Sequence, residues 1–102
     1  MKRVRAVRGA TTVQKDERQE ILLATKELFS KIIEENRITP DDLISAIFTV
    51  TPDLTAAFPA EAVRLLGYTE LPLLDTMEMQ ESGTLPMCIR VLIHYYTESS
   101  LE

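Results

Sequence analysis

Two arginines with unusual neighbours are the clearest chemical signal in the sequence. Arg8 lies in the run VRAVRG and Arg90 in CIRVLIH, and both runs alternate in the manner of β-strands. Alternation places Arg8 on the face of Val4 and Ala6, the more apolar side of its strand. A buried guanidinium requires a partner, and its N–H groups can donate two parallel hydrogen bonds to one carboxylate. The two arginines indicate either a pocket for a carboxylate-bearing ligand or two structural ion pairs.

Other residues that could take part in catalysis or binding give weaker signals. Glu78 lies in a polar loop, where an acid is ordinarily solvated. Asp75 ends an apolar run, where an acid either enters a site or forms a turn. His94 has no nucleophile or carboxylate at a spacing typical of catalysis, and a lone cysteine such as Cys88 is usually a packed apolar residue. The residues by themselves indicate no nucleophile and no proton shuttle.

Composition limits the classes of function. The chain has 102 residues, of which 45% are hydrophobic and 26% charged, as in one soluble domain. Its net charge of -5 argues against nucleic acid or an anionic membrane as the main partner. One cysteine and one histidine are too few for a familiar zinc site and fit a reducing compartment. Without a membrane-length apolar run or a hydrophobic signal core, we predict a cytoplasmic protein.

Hydrophobic periodicity predicts the elements that must position these residues, in the order β, α, β, α, β, β. They are a strand over residues 3–7 that meets a bend or bulge at Gly9, a helix over 16–36, a turn capped by Thr39, a strand in ISAIFTV, a helix between Pro59 and Gly67, a strand over 71–75, and a final strand in CIRVLIHYYT. We therefore predict an α+β fold with one mixed sheet and helices on one face, forming a single domain over residues 1–102.

Four blocks of the sequence resemble the monofunctional Bacillus-type chorismate mutases. They are VRAVRGATTV, FTVTPDLTAAFPAEAVR, LPLLDTMEM and CIRV, and in this order they span essentially the whole chain. The resemblance implies an isomerase that converts chorismate to prephenate by an intramolecular Claisen rearrangement, for phenylalanine and tyrosine synthesis. It also implies a homotrimer with a pseudo-barrel centre and active sites in clefts between subunits. Such a rearrangement needs no nucleophile, metal or cofactor, and we expect none.

The resemblance also implies which residues form the site. Arg8 matches a carboxylate-binding arginine, Arg90 the arginine that contacts the ether oxygen and a carboxylate of the substrate, and Glu78 the acid that accepts from the substrate hydroxyl. These three are the expected catalytic residues. Other positions match residues that contact substrate: the adjoining subunit presents Phe58, Ala60 and Arg64, Leu73 and Leu74 form the wall of the cleft, and Asp75 lies near the substrate hydroxyl.

Three positions depart from the family pattern. Asp75 stands where some members have a small polar residue, and its closeness to Glu78 would let one of the two acids keep a proton. Glu61 stands where some relatives have a lysine at the cleft rim, so we expect weaker steering of the substrate. The family continues into a tail that supplies a tyrosine and an arginine, whereas this sequence ends at Glu102.

Two alternatives to an enzyme stay open on the sequence alone. One is a non-catalytic trimeric module that binds small carboxylates at its subunit clefts. The other is an interaction domain in which Arg8 and Arg90 only make structural ion pairs.

Overall fold

The computed structural model describes residues 1–98 and confirms the predicted α+β class and order of elements. The elements in chain order are β1 (Arg3–Thr12), α1 (Arg18–Glu35), a 3-10 turn (Pro40–Asp42), β2 (Leu43–Val50), α2 (Pro59–Leu65), β3 (Leu73–Met77) and β4 (Cys88–Thr97). The prediction about the family's tail, which concerns the end of the sequence at Glu102, lies outside the described residues.

The four strands form one mixed sheet in the order β1-β4-β2-β3. Strand β4 is antiparallel to both β1 and β2, whereas β2 and β3 are parallel. A parallel pair needs a crossover connection, and α2 supplies it between β2 and β3. Arg90 therefore lies in an interior strand, and Arg8 lies in the edge strand beside it.

Both helices pack on one face of the sheet, as predicted. The buried side of α1 includes Phe29 and Ile32, and the Phe29 ring lies 6.5 Å from that of Phe48 in β2, measured between centroids. The one polar residue in this stripe is Thr25, whose hydroxyl donates to the Ile21 carbonyl at 2.7 Å. Because that bond satisfies the hydroxyl within the helix, Thr25 is buried without disturbing the core.

The prediction of a bend or bulge at Gly9 is wrong. Strand β1 continues through Gly9 to Thr12, and Gly9 pairs regularly with Val91 of β4. Helix α1 explains the glycine instead: a Cβ at this position would lie 2.7 Å from Cδ1 of Ile32 and 3.2 Å from Cδ1 of Leu28. A glycine in a strand commonly marks such a close approach, which here lets α1 pack against the sheet.

Local signals set the ends of the second helix. Pro59 occupies the first turn of α2, and Gly67 follows the helix with φ of 106°, so both predictions are confirmed. The predicted side-chain cap at Thr39 is not formed before the 3-10 turn. Strand β3 begins at Leu73, two residues later than predicted, although the Pro72 carbonyl already accepts from the Ala46 N–H at 3.1 Å.

The other face of the sheet carries no helix among residues 1–98, and we call it the open face. Large apolar side chains are exposed on it, among them Val4 of β1, Leu74 of β3, and Leu92 and Tyr96 of β4. Within the described chain, no helix is long and apolar enough to cross a membrane.

Candidate active site

Strand register brings the two arginines together on the open face. Arg90 of β4 is directly opposite Ala10 of β1, and Arg8 is opposite Leu92. Directly opposed residues share a face, so Arg8 and Arg90 are diagonal neighbours, a relation that typically separates Cα atoms by roughly 7–8 Å. Both line a depression of about 660 Å³, the arginine depression, formed by Arg8, Gly9, Ala10, Ile47, Thr49, Arg90, Val91 and Leu92.

Arg8 lies on the open face of the sheet. Arg8 is exposed, because the helices cover the opposite face of β1, and no described residue forms an ion pair with it. The half-buried arginine of this strand is Arg5, on the helix side, where its Nε lacks a hydrogen-bond partner among residues 1–98. The Arg8 guanidinium is thus available to an anion that enters the depression.

Arg90 is held by Glu78. The Arg90 Nε donates to Oε1 of Glu78 at 2.7 Å, and the Glu78 backbone N–H donates to the Val50 carbonyl at 2.8 Å. The Glu78 side chain is only 15% exposed, so this loop acid is not merely solvated. The hydrogen bond that Arg90 donates to Glu78 is the main reason that the pKa of Arg90 is raised above its ordinary value. Glu78 therefore fixes one edge of the guanidinium and leaves the terminal nitrogens for a ligand.

A second group of predicted residues lies at the start of α2. Phe58 is 66% exposed and lines a separate cavity of about 590 Å³, the Phe58 cavity. Its lining residues are Arg18, Val50, Leu54, Thr55, Ala56, Ala57, Phe58, Pro59, Glu61, Asp75, Thr76 and Met77. Ala60 is buried, and its backbone N–H donates to Oδ1 of Asp75 at 3.0 Å. This bond ties the first turn of α2 to strand β3.

Burial raises the pKa of Asp75 above its ordinary value, although the hydrogen bond from Ala60 and the charge of Arg64 act in the opposite direction. The expected pairing of Asp75 with Glu78 is not what causes this shift, because Glu78 contacts Arg90 instead. The raised pKa of Asp75 thus reflects desolvation rather than a second carboxylate.

Glu61 is paired with a residue that the sequence did not indicate. The Arg18 guanidinium donates through Nη1 to Oε1 of Glu61 at 2.9 Å and through Nη2 to Oε2. This pairing lowers the pKa of Glu61 and raises that of Arg18. The two residues are 43 positions apart, so no local pattern could have joined them. Their opposite charges offset one another at the rim of the Phe58 cavity.

The two predicted wall leucines lie on opposite faces of β3. Leu73 packs against the core on the helix side, whereas Leu74 is 59% exposed on the open face. Arg64 is exposed in the last turn of α2. The structure thus brings Arg8, Arg90 and Glu78 into one region and Phe58, Ala60 and Asp75 into another. The arginine depression and the Phe58 cavity share no lining residue.

No group of three or more metal-binding side chains occurs in the part of the chain that the structure describes. The buried Cys88 thiol has a raised pKa because of desolvation, as expected of a packed cysteine. The side chains available for chemistry are therefore hydrogen-bond donors and charges, which suit binding and electrostatic stabilisation.

The family model for chorismate mutase type I matches residues 4–102. The chain belongs to the type I chorismate mutase family. It is 47% identical over 96 residues to chorismate mutase AroH of Bacillus subtilis, covering 93% of this chain and 76% of that protein. It is also 47% identical over 97 residues to chorismate mutase AroH of Thermus thermophilus, covering 94% of this chain and 80% of that protein.

A solved chorismate mutase from Clostridium thermocellum has the same fold. It superposes with a TM-score of 0.92 at 45% identity, covering 94% of this chain and 86% of the other. The resemblance inferred from the four sequence blocks is thus confirmed. The sequence analysis of this chorismate mutase family member did not predict two residues of these regions, Arg18 and Thr49. Neither residue lies in a distinctive local pattern, and each is placed by contacts or register with distant parts of the chain.

Proposed function

We propose that this chorismate mutase converts chorismate to prephenate in clefts between the subunits of a homotrimer. Each cleft would form where the arginine depression of one chain meets the Phe58 cavity of its neighbour. Two features support this arrangement: the predicted site residues divide between two regions of a single chain, and the open face exposes apolar side chains that association would bury. The buried thiol of Cys88 also suits a cytoplasmic enzyme.

Arg8 and Arg90 would bind the substrate through its carboxylates. Chorismate has two carboxylates, and two guanidinium groups that line one depression supply matching pairs of donors. The protein as a whole has a net charge of -5, so these cations form a local positive site in an acidic molecule. Such a site favours a small dianion, with Arg8 as the principal carboxylate ligand.

Arg90 would also supply most of the electrostatic stabilisation of the transition state. As the ether bond breaks, negative charge grows on its oxygen, and a donor placed there in advance lowers the barrier. Because Nε of Arg90 is already bonded to Glu78, the guanidinium is oriented before substrate arrives. Holding the flexible substrate in its reactive conformation contributes the remainder. Glu78 would accept a hydrogen bond from the substrate hydroxyl with its other carboxylate oxygen.

The neighbouring subunit would close the cleft with the exposed ring of Phe58, the first turn of α2 at Ala60, and Arg64. Leu74 would form an apolar wall, while Leu73 supports it from the core side of β3. The Asp75 carboxyl, which accepts from the Ala60 N–H and whose pKa is raised by burial, would lie beside this first turn of α2 at the cleft. The observation that carries the proposal is the placement of Arg8 and Arg90 in one depression, with Arg90 fixed by Glu78.

The test is turnover of chorismate by the purified chain, with substrate loss followed by absorbance and prephenate by chromatography. We expect Arg90→Ala to lower kcat by about a hundred- to a thousandfold, the usual effect of losing one preorganised donor. Arg3→Ala is the matched control, because Arg3 lies on the other face of β1, and it should retain full turnover.

Other outcomes would reject parts of the proposal. Turnover that survives Arg90→Ala would remove Arg90 from the site. Chorismate binding without turnover would support the alternative of a non-catalytic carboxylate-binding module. Light scattering would show whether the active species is a trimer, and a fully active monomer would contradict a site shared between subunits.

A further inference from the structure

The Thr49 hydroxyl is a buried polar group without an evident purpose. Thr49 lies in β2, directly opposite Arg90, and it lines the arginine depression. Its Oγ1 has less than 1 Å² exposed and no hydrogen-bond partner among residues 1–98. A buried hydroxyl of this kind is destabilising unless some state of the protein satisfies it, so its retention calls for a functional explanation.

The path of the Arg90 side chain suggests that explanation. Arg90 is in β4 and Glu78 follows β3, and β2 lies between these two strands. Adjacent strands are about 4.8 Å apart, so the Arg90–Glu78 ion pair must span β2 on the open face. The β2 residue in register with Arg90 is Thr49. Thr49 is thus the β2 residue beside the point where the Arg90 side chain leaves its strand, and both residues line the arginine depression.

The donors and acceptors of these three residues are complementary. Only Nε of Arg90 is bonded to Glu78, which leaves the terminal N–H groups for other acceptors. A threonine hydroxyl offers two acceptor lone pairs. Thr51, which directly follows β2, differs from Thr49, because its hydroxyl already donates to Oδ1 of Asp53 at 2.5 Å and accepts from the Cys88 N–H at 2.9 Å.

We infer that Thr49 is a positioning residue for Arg90, whose hydroxyl accepts a hydrogen bond from a terminal N–H of the guanidinium when substrate occupies the depression. Glu78 then holds Nε and Thr49 holds one terminal nitrogen, so the guanidinium plane is fixed by two bonds rather than one. This inference rests on the role proposed above for Arg90. It predicts that Thr49 acts on the chemical step more than on substrate affinity.

The test compares Thr49→Val, which removes the hydroxyl, with Thr49→Ser, which keeps it. We expect Thr49→Val to lower kcat about tenfold with KM nearly unchanged, an effect typical of one hydrogen bond to a charged group. The melting temperature should not fall, because the variant removes an unsatisfied buried hydroxyl. Thr49→Ser should stay within about threefold of the unaltered enzyme.

Thr25→Val is the matched control, since it removes a buried hydroxyl that does have a partner, the Ile21 carbonyl. It should lower the melting temperature and leave kcat unchanged, the reverse of the pattern for Thr49→Val. Light scattering on each variant checks that assembly is the same.

Three results would overturn the inference. They are an unchanged kcat in Thr49→Val, an equal loss of kcat in Thr49→Ser, and a loss of kcat accompanied by a melting temperature lowered as in Thr25→Val. Arg90→Ala separates this inference from the function on which it rests. If Arg90→Ala abolishes turnover while Thr49→Val is fully active, only the inference fails. If Arg90→Ala is fully active, the proposed role of Arg90 fails first.

Discussion

The two faces of the sheet differ in burial and in charge. The helix face is completed within one chain: Phe29, Phe48, Ile89 and Ile93 are fully buried there. The open face combines exposed apolar side chains with Arg8 and Arg90, and no described element covers it. One face thus provides stability to a single chain, while the other keeps charged groups accessible for a ligand and apolar groups accessible for association.

The same contrast holds for polar groups on the two faces. On the helix side, the Thr25 hydroxyl has its partner within the same helix. On the open face, the Thr49 hydroxyl lacks a described partner and the Arg8 guanidinium lacks a described counter-ion. The helix side is not free of such groups, since the Arg5 Nε also lacks a partner among residues 1–98. On the open face, however, Thr49 and Arg8 line the same depression, so a ligand that enters it can meet both.

The largest effect on stability should come from the core of the helix face. Phe48 is fully buried and its ring packs near that of Phe29, so Phe48→Ala should lower the free energy of unfolding by about 3–5 kcal/mol. Urea denaturation at a fixed protein concentration measures this loss. A change below about 1 kcal/mol would mean that the core collapses around the missing ring and that this face is not the main source of stability.

A charge on the open face should instead disrupt assembly. In Leu92→Asp, association would bury an unpaired carboxylate, and we expect subunit affinity to fall by about a hundredfold or more. Circular dichroism should show an intact fold for this variant, whereas light scattering should show smaller species. Its turnover of chorismate should also be lower than that of the unaltered protein. Leu23→Asp is the matched control, since Leu23 is an exposed leucine of α1, and this variant should assemble normally. Equal behaviour of the two variants would contradict assembly through the open face.

The smallest effect concerns the carboxyl of Asp75, at the edge between the two faces. Because burial raises its pKa in the folded protein, its favourable contribution is present below the unfolded-state pKa of about 3.9 and is lost as the pH rises through the folded-state pKa. Asp75→Asn should therefore match the unaltered protein near pH 3 and gain stability relative to it at pH 7, by about 1 kcal/mol or less. Urea midpoints at both pH values test this. A difference that grows toward low pH would have the wrong sign.

Local patterns predicted the elements well. The helical stripe from Ile21 to Ile32 indicated α1, and Pro59 and Gly67 indicated both ends of α2. These signals succeeded because helix periodicity, proline and glycine act over a few neighbouring residues. Thr39 failed as a cap because residue type allows that bond but does not require it.

Alternation also separated the faces of each strand correctly but did not say which face the helices cover. Arg8 was placed with Val4 and Ala6 on the more apolar face of its strand, and that face is the open one. Gly9 was expected to bend the strand, whereas it makes room for Ile32 of α1. In both cases the deciding contact comes from a distant part of the chain.

The fold class, the family and the residue types of the site follow from the amino-acid sequence, because they depend on local propensity and on long blocks shared with relatives. Which of those residues meet depends on tertiary contacts. The pairs Arg90–Glu78 and Arg18–Glu61, and the juxtaposition of Thr49 with Arg90, join residues 12, 43 and 41 positions apart. Strand register and helix packing set such distances, since they depend on burial of the whole core at once.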